Sequence, residues 1–131
     1  MTGEIEFRVL DDPGLVEALF PAHVKSHHIR TLIGHLTSGA IDPGYNVLLD
    51  FTATSTIEFP ASDMIELAMK RRRELPAYPG KPLRSAIIGE RPAIAPLVEM
   101  WEGFFFEDPP AIIFRRFSSR EQALNWITEP R

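Results

Sequence analysis

The sequence predicts an α/β protein with a mixed sheet of four to five strands, flanked by helices. Three observations predict this class. The chain opens with apolar residues at every second position and a turn, which is typical of a β-hairpin. Later apolar runs, at 45–51, 83–88 and 111–117, alternate with segments of helical periodicity. Strands that alternate with helices pair in parallel through right-handed crossovers, so the hairpin adds an antiparallel strand to a parallel sheet.

The bulk composition indicates a single domain over residues 1–131. The net charge of −4 argues against a nucleic-acid partner. No apolar stretch approaches the ~20 residues that cross a bilayer, and the first residues do not resemble a signal peptide. The sequence contains no cysteine, which excludes disulfides and thiolate metal sites. We therefore expect a cytoplasmic protein without integral membrane association.

The opening hairpin is predicted from period-two alternation. Ile5, Phe7 and Val9 alternate with charged residues, which predicts a half-buried strand. A turn follows at 11–14, where proline fixes φ and glycine tolerates a positive φ. Residues 15–20 return as the second strand, and Pro21 ends it because proline has no backbone donor.

The middle of the chain predicts two helices around a central strand. The first helix is expected to begin at Val24, with an apolar face of Val24, His28, Leu32, Ile33 and Leu36. The unbroken run at 47–49 indicates a parallel strand buried on both faces. Pro60 suits the first position of the second helix, where no backbone donor is needed. The predicted inner face of this helix comprises Met64, Ile65, Ala68, Met69 and Leu75.

The last third of the chain predicts two further strand–helix units. A strand at 83–88 precedes a third helix, whose predicted apolar stripe comprises Ile94, Leu97, Val98, Trp101 and Phe105. A strand at 111–117 follows. Ser118 and Glu121 have the spacing of a capping box and predict the start of a closing helix. The complete predicted order is β-β-α-β-α-β-α-β-α.

Two segments resemble the SpoIIAA-like family of small bacterial proteins, also called STAS/SEC14-like. One is the turn at 40–45 that leads into the strand at 47–51. The other is the closing strand and helix at 114–127, which contains an Ala-x-x-Trp pattern at Ala123 and Trp126. The opening hairpin fits the family as well. The resemblance implies a sheet of four or five strands with flanking helices.

The resemblance implies binding rather than catalysis, in one of two forms. STAS domains of anti-sigma-factor antagonists bind protein partners and are switched by phosphorylation of a serine at the start of the helix after the central strand. SEC14-like domains carry lipids in an apolar pocket. In this chain the position of the phosphorylated serine falls near Glu58 or Phe59, neither of which accepts phosphate. Thr56 and Ser62 are the nearest hydroxyl side chains.

A polar segment after the central strand is the candidate ligand or regulatory loop. Open α/β sheets usually bind ligands at the carboxyl ends of their strands. This segment offers one carboxylate and several hydroxyls: Asp50, Thr52, Thr54, Ser55, Thr56 and Ser62. The alternative is that these side chains bond to the loop backbone, as serine, threonine and aspartate often do.

The end of the third helix is the candidate interface. One helical stripe cannot bury all of its apolar residues, which are Met100, Trp101, Phe104, Phe105 and Phe106. Exposed apolar patches mark interfaces, and a two-fold homodimer is the simplest of these. The alternative is that the rings pack under the sheet.

Other polar residues give weaker indications. His23 and His27 have metal-ligand spacing, but Pro21 places His23 before the helix and no third ligand is near. The basic run at 70–73 suits a helix C-terminus, and its four side chains point in four directions. Neither a nucleophile elbow nor a phosphate-binding loop is present.

The sequence therefore predicts a non-enzymatic regulatory module without a cofactor, a metal or a catalytic residue, which binds a protein partner or itself. A domain that binds a small apolar or lipid-like ligand is the alternative, and an enzyme of unknown type is the third hypothesis.

Overall fold

The computed structural model describes residues 3–11, 14–42, 44–58, 60–74, 82–89, 92–104 and 112–129. The strands are β1 (Glu6–Leu10), β2 (Leu15–Leu19), β3 (His23–Lys25), β4 (Asn46–Asp50), β5 (Thr56–Glu58), β6 (Leu83–Ile88) and β7 (Ile112–Phe117). The helices are α1 (Ser26–Leu36), α2 (Ala61–Glu74), α3 (Ala95–Phe104) and α4 (Arg120–Ile127), with a 3-10 turn (Pro92–Ile94) before α3.

The main sheet is mixed and has five strands in the order β1-β2-β4-β6-β7. β1 pairs antiparallel with β2, and every other pair is parallel. Gly14 closes the hairpin with a φ of 84°, the conformation that glycine adopts without strain. These observations confirm the predicted α/β class, the opening hairpin and the central position of the strand at 47–49.

Helices cover the sheet on both faces in the described part of the chain. α1, α2 and α3 pack on one face, where Val47 and Leu49 point. α4 packs on the other face against Leu48 and its neighbours. This division follows from the strand period of two, which sends alternate side chains of β4 to opposite faces. The larger part of the core lies between the three helices and the sheet.

A second, two-stranded sheet was absent from the sequence prediction. β3 and β5 pair in parallel, with Val24 opposite Ile57. The helix predicted to begin at Val24 therefore begins at Ser26 instead. A strand of three residues turns only one side chain inward, here the fully buried Val24, so it produces no readable alternation.

Two details of the helices differ from the predictions. Ile65 and Met69 are 41% and 49% exposed, whereas Met64 and Ala68 are buried. Adjacent helical residues point about 100° apart, and the buried stripe of α2 is narrow enough that it includes Met64 but not Ile65. Leu75, also predicted to face inward, lies outside the described residues.

The N-cap of α4 lies one residue later than predicted, and among the described residues it lacks the reciprocal bond of a capping box. Ser119 is the N-cap, and its Oγ accepts a hydrogen bond from the backbone N–H of Gln122. The hydroxyl of Ser118 instead donates to Gln122 Oε1 at 2.9 Å. The shift occurs because β7 continues through Phe117 and α4 begins at Arg120.

An ion pair between a buried carboxylate and a half-exposed guanidinium joins α4 to the sheet. Glu17 lies on β2 with 1% exposure, facing α4. The guanidinium of Arg120 donates to both carboxylate oxygens, at 2.7 and 3.0 Å. This hydrogen bonding lowers the pKa of Glu17 below its ordinary value, against the opposing effect of burial. The positive charges of Arg120 and Arg8 also lower the pKa of Glu17.

We expect Arg120→Met to lower the free energy of unfolding by about 1–3 kcal/mol near neutral pH, because it leaves the Glu17 carboxylate buried and unpaired. Folding lowers the pKa of Glu17, so the pair stabilises the protein above the unfolded-state pKa and the stabilisation is lost as pH falls through the folded-state pKa. The difference between variant and wild type in urea unfolding should therefore shrink from about pH 7 to about pH 3.

The matched control is Arg73→Met, since Arg73 is exposed on α2. It should change the unfolding free energy by less than about 0.5 kcal/mol. An Arg120→Met effect that is equal at both pH values would contradict the assignment of stability to the ionised pair.

Candidate functional site

The loop between β4 and β5 is held to the chain before β3 by its hydroxyl groups. Thr54 is fully buried, and its Oγ1 donates to the carbonyl of Pro21 at 2.8 Å. Ser55 Oγ donates to the carbonyl of Ala22 at 3.1 Å. Thr56 Oγ1 lies 2.7 Å from Nδ1 of His23. These hydroxyls bond to residues 21–23 rather than to the backbone of the loop itself.

Two polar side chains of the loop region remain open to solvent. Thr52 is exposed, and its backbone N–H donates to Oδ1 of Asp50 at 2.9 Å. Ser62 is exposed in the first turn of α2, where its hydroxyl forms no hydrogen bond with the described residues. The hydroxyls of Thr52 and Ser62 are therefore both open to a second molecule, and of the two only Ser62 lies on α2.

Asp50 lies near the ion pair of β2 and α4. Its carboxylate helps to raise the pKa of Arg120, although the hydrogen bond from Arg120 to Glu17 contributes more. The one carboxylate at the carboxyl end of β4 among the described residues therefore lies in the field of Arg120, and its Oδ1 accepts from the backbone N–H of Thr52.

The outer face of α2 carries an apolar stripe beside Ser62. Ile65 and Met69 are one turn apart, and both are among the large apolar residues most exposed in the described chain. Ser62 lies one turn before Ile65, so the three residues share one side of the helix. Single exposed apolar residues are ordinary on protein surfaces, but an adjacent pair beside a free hydroxyl forms a small continuous surface.

The end of α3 differs from the interface predicted there. Trp101 is only 4% exposed and belongs to the core, so its assignment to an exposed surface is wrong. It is buried because it faces the sheet, with its ring 6.2 Å from that of Phe114. Met100 is half-buried against the same core. The side chain of Phe104, together with Phe105 and Phe106, lies outside the described residues, and their interface role stays a prediction.

Two of the histidines and one glutamate form a cluster, within the described residues, of the kind that could hold a metal. Ligand atoms of Glu4, His27 and His28 lie within 4.8 Å of one another. However, His28 Nδ1 accepts from the backbone N–H of Lys25 at 2.9 Å, so the proton resides on Nε2, which lies 2.7 Å from the carbonyl oxygen of Gly3. Both ring nitrogens of His28 are therefore engaged, and a metal ion would have to displace one of these hydrogen bonds.

A cavity lies at the opposite end of the sheet, between its helices and the first residues of its parallel strands. Its volume accessible to water is about 40 Å³, and it opens to solvent on one side. Its apolar wall includes Leu32, Leu36, Val47, Ala68, Trp101 and Phe114. Arg71 of α2 also lines the cavity and is only 5% exposed. The alternative of an apolar ligand site was part of the sequence analysis, but Arg71 was not predicted in it, because the run at 70–73 was assigned to a helix C-terminus.

The sheet order and the placement of helices define an α/β domain with a mixed sheet covered on both faces. One solved structure with this fold is an uncharacterised protein of the DUF3478 family with a SpoIIAA-like fold, from Shewanella loihica PV-4. Its TM-score is 0.60 at 19% identity, and the match covers 94% of this chain and 91% of that chain.

Two structures of SpoIIAA itself also match. The phosphorylated form of the Bacillus cell fate determinant SpoIIAA gives a TM-score of 0.55 at 15% identity, covering 94% of this chain and 98% of that one. The unphosphorylated form of the anti-sigma factor antagonist SpoIIAA gives 0.54 at 16%, covering 94% and 96%. The chain therefore has the SpoIIAA-like fold, which confirms the fold that the resemblance implied.

Two further comparisons of the sequence found no match. No protein-family profile and no curated protein matches the chain. Among the described residues, the helices are too short or too polar to cross a membrane.

We expect Thr54→Val to lower the free energy of unfolding by about 1–2 kcal/mol, because the carbonyl of Pro21 is buried and loses its donor. Thr52→Val is the matched control, since it makes the same chemical change at an exposed position. Denaturant unfolding of both variants checks the expectation. Equal effects at the two positions would show that the Thr54 hydroxyl does not hold the loop.

Proposed function

We propose that this protein is a cytoplasmic, non-enzymatic regulatory module that binds a protein partner through the outer face of α2 and the adjoining loop. The observation that carries the proposal is the exposure of Ile65 and Met69 beside Ser62, at the start of the helix that follows the central strand. Solved structures with the same fold include an anti-sigma factor antagonist in unphosphorylated and phosphorylated forms. A shared fold supports this function without establishing it.

The surface chemistry of α2 suits a protein partner. Interfaces typically combine an apolar centre with a polar rim. Ile65 and Met69 supply the centre, and the exposed Glu66, Lys70 and Arg73 supply charged groups around it. One helix face is smaller than the roughly 800 Å² per partner of a stable interface. The proposal therefore includes the exposed part of the loop that precedes α2.

Ser62 is the proposed point of regulation. A phosphate there adds about −1.5 to −2 units of charge within the first turn of α2, where the helix dipole favours an anion. The same charge lies beside the apolar pair and disfavours an apolar contact. Thr56, the other hydroxyl near the expected position, is already engaged by His23.

The proposal of a non-enzymatic role rests on the side-chain pairs of the site. Thr56 and His23 form a hydroxyl–imidazole contact, which resembles half of a nucleophile–base pair. A catalytic imidazole is normally oriented by a third group. In the described chain no ion pair joins His23 to a carboxylate, and the contact lies on the surface.

We expect Ile65→Glu to weaken binding to the partner by at least about tenfold, because it places a charge in the apolar centre of the interface. Ile113→Glu is the matched control, since Ile113 on β7 is exposed to nearly the same extent, 40% against 41%. Quantitative affinity purification identifies proteins that the control retains and Ile65→Glu loses. Calorimetry with the purified partner then measures the affinity.

The same assay tests regulation. Ser62→Asp should weaken binding, and Ser62→Ala should leave it unchanged. A partner that both Ile65→Glu and the control retain equally would exclude the α2 face as the binding surface.

Self-association through the end of α3 is the alternative form of the proposal. Native mass spectrometry of the intact protein measures it directly. A dimer at twice 14.8 kDa that Met100→Glu converts to monomer, while Ile65→Glu does not, would assign that interface to residues 100–106. A monomer at all concentrations tested would remove the homodimer from the proposal.

A further inference from the structure

Arg71 is buried in an apolar cavity and has no partner among the described residues. It belongs to the inner face of α2, where Met64 and Ala68 precede it at helical spacing. Its side chain lines the cavity described above and is only 5% exposed. No hydrogen bond or ion pair joins it to the described chain. Burial alone lowers its pKa to about 10, so it remains charged at neutral pH.

An unpaired buried cation is unfavourable unless an anion joins it. Structural arginines in protein interiors are paired with carboxylates or backbone carbonyls for this reason. The cavity around Arg71 is open at one side, so an anion can enter from solvent. The remaining wall is mostly aliphatic and aromatic, which favours an apolar body attached to that anion.

We propose that this cavity binds a small monocarboxylate with an apolar chain or ring, whose carboxylate pairs with Arg71. One guanidinium matches one carboxylate in charge and in bidentate geometry. A phosphate or nucleotide would bring more charge than this wall can match. Arg84, the other arginine at the cavity, already donates to the carbonyls of Trp126 and Glu129.

The site is separate from the proposed partner surface. Arg71 and Ala68 lie on the inner face of α2, and Ile65 and Met69 lie on its outer face. The cavity also lies at the amino ends of the parallel strands, away from the loop at their carboxyl ends. Binding of a carboxylate can therefore be tested without a protein partner, and its failure would leave the proposed function untouched.

The test compares two probes of equal chain length, octanoate and octanol. Trp101 lines the cavity, whereas Trp126 packs on the opposite face of the sheet, so Trp126→Phe isolates the fluorescence of Trp101. We expect octanoate to change this fluorescence saturably. It should bind at least about tenfold more tightly than octanol, because a charge-assisted hydrogen bond to Arg71 supplies a free-energy difference of that size. Equal binding of the two probes, or no saturable binding of octanoate, would overturn the proposal.

Arg71→Met separates a ligand site from an internal ion pair. If Arg71 is unpaired in the free protein, this variant should keep or raise the midpoint of thermal unfolding, because it removes a buried charge without leaving a carboxylate unmatched. It should also abolish the preference for octanoate. Arg73→Met, two residues away and exposed, should preserve both the midpoint and the preference.

Loss of stability in Arg71→Met, together with equal binding of the probes to the protein that retains Arg71, would instead assign Arg71 to a structural ion pair and contradict the proposal. The comparison of octanoate with octanol needs only Trp126→Phe, a substitution on the opposite face of the sheet that leaves Arg71 in place. It therefore decides the question even if Arg71→Met does not fold.

Discussion

The burial of β4 on both faces is the constraint on which the rest of the structure depends. Val47, Leu48 and Leu49 are each at most 5% exposed, and they point alternately to the two sides of the sheet. A strand of this kind requires helices on both faces. Three helices meet the requirement on one side, and α4 alone meets it on the other. The pair formed by Glu17 and Arg120 anchors α4 at the place where that requirement must be met.

The elements that could be predicted from sequence are those whose periodicity extends over several residues. β4, β6 and the three long helices each have enough apolar positions to reveal a period. β3 and β5 have three residues apiece, and one buried side chain such as Val24 carries no period. The N-cap of α4 was predicted to within one residue because serines occupy both 118 and 119, and only the length of β7 selects between them.

The segment that forms the candidate site could be predicted from the sequence, but the hydrogen-bonding role of each side chain in it could not. The hydroxyls after β4 were identified from the sequence, yet tertiary neighbours decide their use: Pro21 engages Thr54, His23 engages Thr56, and Ser62 stays free in the described chain. The burial of Trp101 follows from the direction in which α3 faces the sheet. A signal for Arg71 did exist, since four successive basic residues on one helix cannot all point to solvent.

The two faces of α2 have a thermodynamic consequence. The helix presents Arg71 inward and Ile65 outward, so one element contributes to both sites. If a molecule on each face binds more tightly in one position of the helix, each changes the affinity of the other by the same factor. A small molecule in the cavity would then change the affinity of a protein for the outer face of α2, and the protein would change the affinity of the small molecule. The concentration of the small molecule would set the fraction of the protein that is bound to its partner.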